Sequence, residues 1–191
     1  MAKDELLRKL QAVGAILEGH FRLTSGRHSS RFFLLARAFQ YPPLAEELGR
    51  GVARLFSGLQ VEAVVGPAVG GILLAHEVAR ALGARSIFTE KDGEGKMTLR
   101  RGFQLHPGER ILLVEDAVTT GGSLLQAYEA LRPWEPQVVG IGAVVDRGSS
   151  QRVELPMPVK ALLELPTPDW APEECPLCRE GIPLREPKKE L

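Results

Sequence analysis

The 191-residue chain is poor in cysteine, has no excess charge of either sign and carries no long apolar run. Its two cysteines, Cys175 and Cys178, sit together near the C-terminus. They are too few for a disulfide framework, and a reducing compartment is expected. Lys plus Arg and Asp plus Glu both number 24, so no global field draws the chain to nucleic acid or to an anionic membrane. No apolar stretch approaches the roughly 20 residues of a membrane span. The opening MAKDELLRKLQ has acids and no apolar core, so no secretory signal is expected. A Walker GxxxxGK[ST] loop is missing, and no GxGxxG follows a strand. These absences leave a cytoplasmic protein without nucleic-acid or membrane partners.

What is present is globular: 44% hydrophobic and 25% charged residues. Leu6, Leu7, Leu10, Val13 and Leu17 recur at helical spacing, which predicts a helix over 4–18. A strand is expected at Arg31–Leu35, and a helix beginning on Pro42-Pro43 and stopping at Gly58. Then a rhythm sets in. Strands are expected at 61–67, 84–90, 109–116 and 136–147, and helices at 70–83 and 121–133, closed by Gly83 and Pro133. Residues 90–102, EKDGEGKMTLRRG, are charged and Gly-rich, and VKALLEL (159–165) is a last strand. Alternating short apolar strands and helices predict an α/β, doubly wound parallel sheet in a domain over 1–165. Residues 166–191 are rich in Pro and charge and are expected to form an irregular, partly packed tail.

One segment, ILLVEDAVTTGGS (111–123), combines features that rarely coincide. An apolar strand runs into Glu115 and Asp116. A loop of Ala117, Val118, Thr119, Thr120, Gly121, Gly122 and Ser123 follows and opens a helix. Ligands of open α/β sheets bind beyond the carboxyl ends of the strands. There the glycines let backbone N–H groups turn inward, the hydroxyls add donors, and the helix N-terminus adds partial positive charge. This is a cradle for a phosphate dianion. The carboxylates repel that dianion but suit neutral hydroxyls such as a ribose diol. An ordinary capped strand-to-helix turn accounts for the glycines but not for the whole set.

VEDAVTTGGS resembles the phosphoribosyl-pyrophosphate (PRPP) motif of type I phosphoribosyltransferases. The resemblance implies that Glu115 and Asp116 contact the ribose hydroxyls and that 117–123 wrap the 5′-phosphate. Three more stretches resemble the orotate phosphoribosyltransferases of that family: FRLTSGRHSSRFF (21–33), GPAVGGI (66–72) and VVDR (144–147). They imply a base-binding hood within 1–40, a pyrophosphate loop of Pro67, Ala68, Val69 and Gly70, and contacts from Thr119 and Arg147 to orotate. A planar guanidinium suits the orotate carboxylate. The tail is similar to that of a branch found in Thermus-like bacteria.

Two departures stand out. Thr24 occupies a position where many members have Lys. The loop at 90–102 lacks a His and reads Glu90-Lys91 where Arg-Lys is usual. Lys91 is the best match to the family's catalytic loop, with Lys96, Arg100 and Arg101 as weaker stand-ins, and a solvated charged hairpin is the alternative. The implied reaction moves the 5-phosphoribosyl group of PRPP to N1 of orotate. Asp116 and Lys91 lead the chemistry, Mg²⁺ arrives on PRPP rather than in a protein cage, and the active unit is a homodimer. Base choice stays open to a purine transferase, and a PRPP-sensing regulator is the non-enzymatic rival.

Cys175-Pro-Leu-Cys178 offers two of the four ligands zinc requires. His76 and His106 are distant in sequence, and a dimer could supply a second pair; plain packing of the tail is the first expectation, with zinc and redox chemistry left open as alternatives. His20 and His28 flank the SGR turn and are expected to be packed or surface imidazoles.

Overall fold

A computed structural model describes residues 2–23, 25–148 and 152–187. The first helix, α1 (Lys3–Ala12), is shorter than the 4–18 expected from its apolar spacing. Gly14, at φ +68, turns the chain, and Ile16 and Leu17 enter strand β1 (Ile16–Arg22) instead. Periodicity carried over the turn because Leu17 happens to continue the helical spacing. Strand β2 (His28–Phe33) pairs antiparallel with β1. Helices α2 (Ala36–Phe39) and α3 (Pro42–Arg54) follow.

The expected rhythm then appears. It comprises β3 (Ala63–Pro67), α4 (Gly70–Leu82), β4 (Arg85–Lys91), β5 (Met97–Leu99), β6 (Arg110–Val118), α5 (Gly122–Leu131), β7 (Gln137–Asp146) and β8 (Val159–Glu164). They form a six-stranded sheet in the order β5-β4-β3-β6-β7-β8. All neighbours are parallel except β5, which folds back on β4. The 90–102 segment is therefore a hairpin, with Lys91 opposite Met97.

Alternation along the strands supplies both faces of the core. Val64, Leu112, Val114 and Val144 pack under α3 and α4, together with Leu10 and Ile16. Ala63, Val65, Ile111, Leu113 and Ile141 pack under α5 through Leu124 and Leu131. From β3 the chain steps to β4 on one side and later returns to place β6 on the other. The strand order reverses between β3 and β6, and such a switch point opens a crevice at the carboxyl ends.

The tail is more ordered than its composition suggests. Strand β9 (Asp169–Trp170) pairs with β2 and completes a three-stranded sheet, β1-β2-β9. A short helix, α6 (Pro176–Arg179), follows. Arg22 N–H donates to the Arg185 carbonyl at 3.0 Å, and Arg185 N–H donates to the His20 carbonyl at 2.9 Å. Proline and charge concealed these pairings because a two-residue strand leaves no periodic signal.

Candidate active site

The switch-point crevice is bounded by the loop after β3 and the loop after β6, the two segments singled out from the sequence. Strand β6 runs two residues beyond the expected end at Asp116, so Glu115 and Asp116 lie within its last turn of pleat, not past it. Ala117 pairs with Val145 and Val118 with Asp146. This extra pairing fixes both carboxyl groups on a rigid element.

The loop after β3 packs directly against the acids. A Cβ on Gly70 would lie 2.8 and 2.9 Å from the two Asp116 carboxyl oxygens. A Cβ on Gly66 would meet the Gly71 carbonyl at 2.3 Å. At Gly66 the atoms met are backbone and cannot swing aside, so only glycine permits the approach there. Ala68 N–H donates to the Thr89 carbonyl at 2.7 Å, the Ala68–Val69 peptide is cis, and Val69 is 83% exposed at the loop tip. Pro67, Ala68, Val69 and Gly70 thus line one side of the crevice.

On the other side, Gly121 sits at φ +82 as the residue preceding α5. Gly122 N–H donates to the Thr120 hydroxyl at 3.3 Å. Leu155 packs over Gly121, and Val153 N–H donates to the Thr120 carbonyl at 2.8 Å. Arg152 pairs with Asp146 and donates to the Thr119 carbonyl at 3.4 Å. Sequence reasoning misses this clasp over the loop after β6. Its signals, Asp146 and Arg152, are separated by a stretch with no periodic pattern.

Electrostatics follow from burial. The Glu115 carboxyl is pushed up to about 8, first by desolvation and then by neighbouring Asp116, against a hydrogen bond from Ser123. Burial also raises Asp116, opposed by the Ala117 N–H that donates to its Oδ1 at 2.8 Å. Near neutral pH the pair therefore carries less than its formal charge. That softens its repulsion of a polyanionic ligand.

Arg147 projects from the end of β7 beside the cradle. Its Nη1 donates to the Thr119 hydroxyl at 3.1 Å, and its guanidinium lies 4.7 Å from the centre of the Phe33 ring. Its buried Nε has no partner, and desolvation lowers its pKa. An unpaired buried donor on a cation is costly and marks a place for an anionic acceptor. Phe33, from the hood, is the part of this arrangement that sequence reasoning missed. Thr119 and Arg147, the two residues expected to contact orotate, lie within hydrogen-bond reach of each other.

Lys91 ends β4 and is exposed. Among the described residues it forms no ion pair and no contact joins it to the acidic pair. It stands at the carboxyl end of β4, the same end of the parallel sheet at which β6 carries Glu115 and Asp116. Glu90 holds Arg101 through two hydrogen bonds, 2.8 and 3.0 Å, and has Arg100 at 3.8 Å. Lys96 belongs to the hairpin turn, where its N–H donates to Asp92. Thr24 lies outside the described residues.

The family model for the phosphoribosyl transferase domain matches residues 44–177, which include both crevice loops and Arg147. The chain belongs to the phosphoribosyltransferase family. It is 49% identical over 187 residues to orotate phosphoribosyltransferase of Pelotomaculum thermopropionicum, covering 98% of this chain and 97% of that one. It is 47% identical to orotate phosphoribosyltransferase of Thermotoga maritima, with 93% and 94% covered. Among solved structures, the Mycobacterium tuberculosis orotate phosphoribosyltransferase in complex with PRPP superposes with a TM-score of 0.64. The two are 25% identical, and the match covers 85% of this chain and 96% of that one.

Proposed function

We infer that the crevice between β3 and β6 holds PRPP and presents orotate to its C1. The chain is a transferase that moves the 5-phosphoribosyl group from PRPP to N1 of orotate. The products are orotidine 5′-monophosphate and pyrophosphate, a step of pyrimidine synthesis. In our reading Glu115 and Asp116 accept hydrogen bonds from the ribose diol. Residues 117–123 donate to the 5′-phosphate through backbone N–H groups and hydroxyls. The observation that carries the choice of base is Arg147, whose free Nε and Thr119-anchored fork suit a carboxylate on a flat ring stacked near Phe33. A purine base offers that cation no carboxylate.

Scission of the C1–pyrophosphate bond runs ahead of attack by N1, so positive charge builds on the ribose. No general base is required of the protein. The loop 67–70 and Lys91 face the departing pyrophosphate, and closure of the basic hairpin excludes water. Among the described residues, Glu115 and Asp116 have no cationic side-chain partner, a donor set that fits hydroxyls and the waters of a Mg²⁺ held by PRPP phosphates. When bound, Mg²⁺ neutralises charge on the leaving pyrophosphate. We place the base hood in residues 1–40 of a transferase unit spanning 1–165, with residues 166–187 of the 166–191 tail closing the hood. We further propose a cytoplasmic homodimer whose exposed hairpins complete each other's sites. Among the described residues, no helix is long and apolar enough to cross a membrane.

The test is the absorbance change of orotate on mixing with PRPP, with and without Mg²⁺. Loss of signal dependent on all three components supports the reading. Turnover of adenine or guanine but not orotate refutes it.

A further inference from the structure

The chemistry above uses neither cysteine and neither histidine of the hood, yet the fold gathers all four. His20 and His28 lie on paired strands β1 and β2, and their rings meet edge to face at 4.9 Å between centroids. Strand β1 has an irregular register between Glu18 and Phe21, where Gly19 sits at φ +149. This bulge breaks the alternation, so that His20 and Phe21 are both buried. Cys175 precedes α6 and Cys178 lies within it, and the tail's pairing with β1 and β2 carries this turn onto the two imidazoles.

The ligand atoms converge. His20 Nε2 lies 3.0 Å from His28 Nδ1, 3.4 Å from Cys175 Sγ and 3.7 Å from Cys178 Sγ. Cys178 Sγ lies 3.3 Å from His28 Nδ1, and all four atoms fall within 4.8 Å of one another. Tetrahedral zinc, with Zn–N of about 2.0–2.1 Å and Zn–S of about 2.3 Å, spaces its ligands about 3.3 Å apart for N–N and about 3.6 Å for N–S. The observed separations scatter around those edges.

Hydrogen bonding alone does not account for the cluster. His20 Nδ1 lies 2.7 Å from the Ile182 carbonyl, which can only accept, so the ring proton sits on Nδ1. Nε2 then offers a single lone pair to three neighbours. The same bond is the outer-shell contact that fixes the tautomer of a metal-binding imidazole.

We propose that His20, His28, Cys175 and Cys178 bind one Zn²⁺ in a closed Cys₂His₂ site that staples the C-terminal segment to the hood. Four protein ligands leave no open position, so the ion is structural. Its soft sulfur and imidazole donors separate it from the hard, oxygen-bound Mg²⁺ of the substrate. The staple joins segments 155 residues apart, from Cys175 to His20, so the closed loop is long and the constraint on the unfolded chain large. It also steadies β2, the strand whose Phe33 backs Arg147. The expectation of plain tail packing gives way to this reading, and neither His76 nor His106 belongs to the cluster.

Full-length protein purified from zinc-supplemented cells without chelator is assayed by elemental analysis, and zinc-stripped protein is titrated with Co²⁺. The proposal predicts about one zinc per chain. It also predicts intense visible bands of tetrahedral cobalt with thiolate charge transfer, and a lower melting temperature after chelation by a zinc-selective reagent. The C175S/C178S double variant should lose both metal and charge-transfer band while still binding PRPP with Mg²⁺ below its melting temperature. Zinc-free protein that takes up no Co²⁺, or cysteines found as a disulfide in freshly isolated protein, overturns it. So does octahedral cobalt without thiolate bands.

Discussion

Glu115→Gln isolates the energetic cost of building an acidic pair into a desolvated crevice. The Glu115 carboxyl titrates at about 8 in the folded protein against 4.5 for the ordinary side chain. Between those values the folded state binds a proton that the unfolded state has released, so stability falls as pH rises. The contribution is fully present below the unfolded value and is lost as pH passes the folded one. At about 1.4 kcal/mol per pH unit, ionisation of Glu115 costs the unliganded fold on the order of 3–5 kcal/mol. Glutamine keeps the shape and cannot ionise. Urea midpoints of both proteins, measured without PRPP from about pH 5 to about pH 8.5, should diverge: wild type weakens relative to the variant with rising pH. PRPP reverses the bias, because hydroxyl donors favour the carboxylate. Its binding to wild type should therefore release a proton, and binding to the variant should not. Parallel stability profiles, or no difference in proton release, would show that Glu115 is solvated and outside the sugar site.

Three further substitutions probe the crevice. Gly70→Ala places a methyl against the Asp116 oxygens at 2.8 and 2.9 Å, so PRPP affinity should fall at least roughly ten-fold with the melting curve little changed; unaltered affinity, by calorimetry, would remove the loop from the site. Arg147→Lys loses the fork and its Nε, and kcat/KM for orotate should fall roughly 10- to 100-fold while PRPP affinity holds; an equal loss for both substrates would contradict a base contact. Lys91→Ala should lower kcat more than it weakens PRPP binding. An unchanged kcat transfers the leaving-group role to Lys96, since Glu90 already engages Arg100 and Arg101.

The central sheet was legible because parallel strands buried on both faces are continuous apolar runs, closed by Gly83 and Pro133 where the helices do end or tighten. Both crevice loops were legible because close backbone approach demands glycine, and Gly66, Gly70 and Gly121 announce it. The errors arise where a local signal was ambiguous or a long-range pairing decided the outcome. Leu17 continued a helical period across Gly14. Met97–Leu99 is too short to read as a strand, yet β4 recruits it. The ordered tail and its Cys/His cluster depend on pairing between residues near 20 and near 180, which no window along the sequence contains. The Arg147–Phe33 stack was hidden for the same reason.

The most direct test of the acidic pair compares ribose 5-phosphate with 2-deoxyribose 5-phosphate by calorimetry, on wild type and Asp116→Asn. If Glu115 and Asp116 hold the diol, loss of one hydroxyl to a charged acceptor should weaken binding to wild type roughly 10- to 100-fold, and the variant should discriminate far less. Equal affinity of wild type for the two sugars would contradict the account.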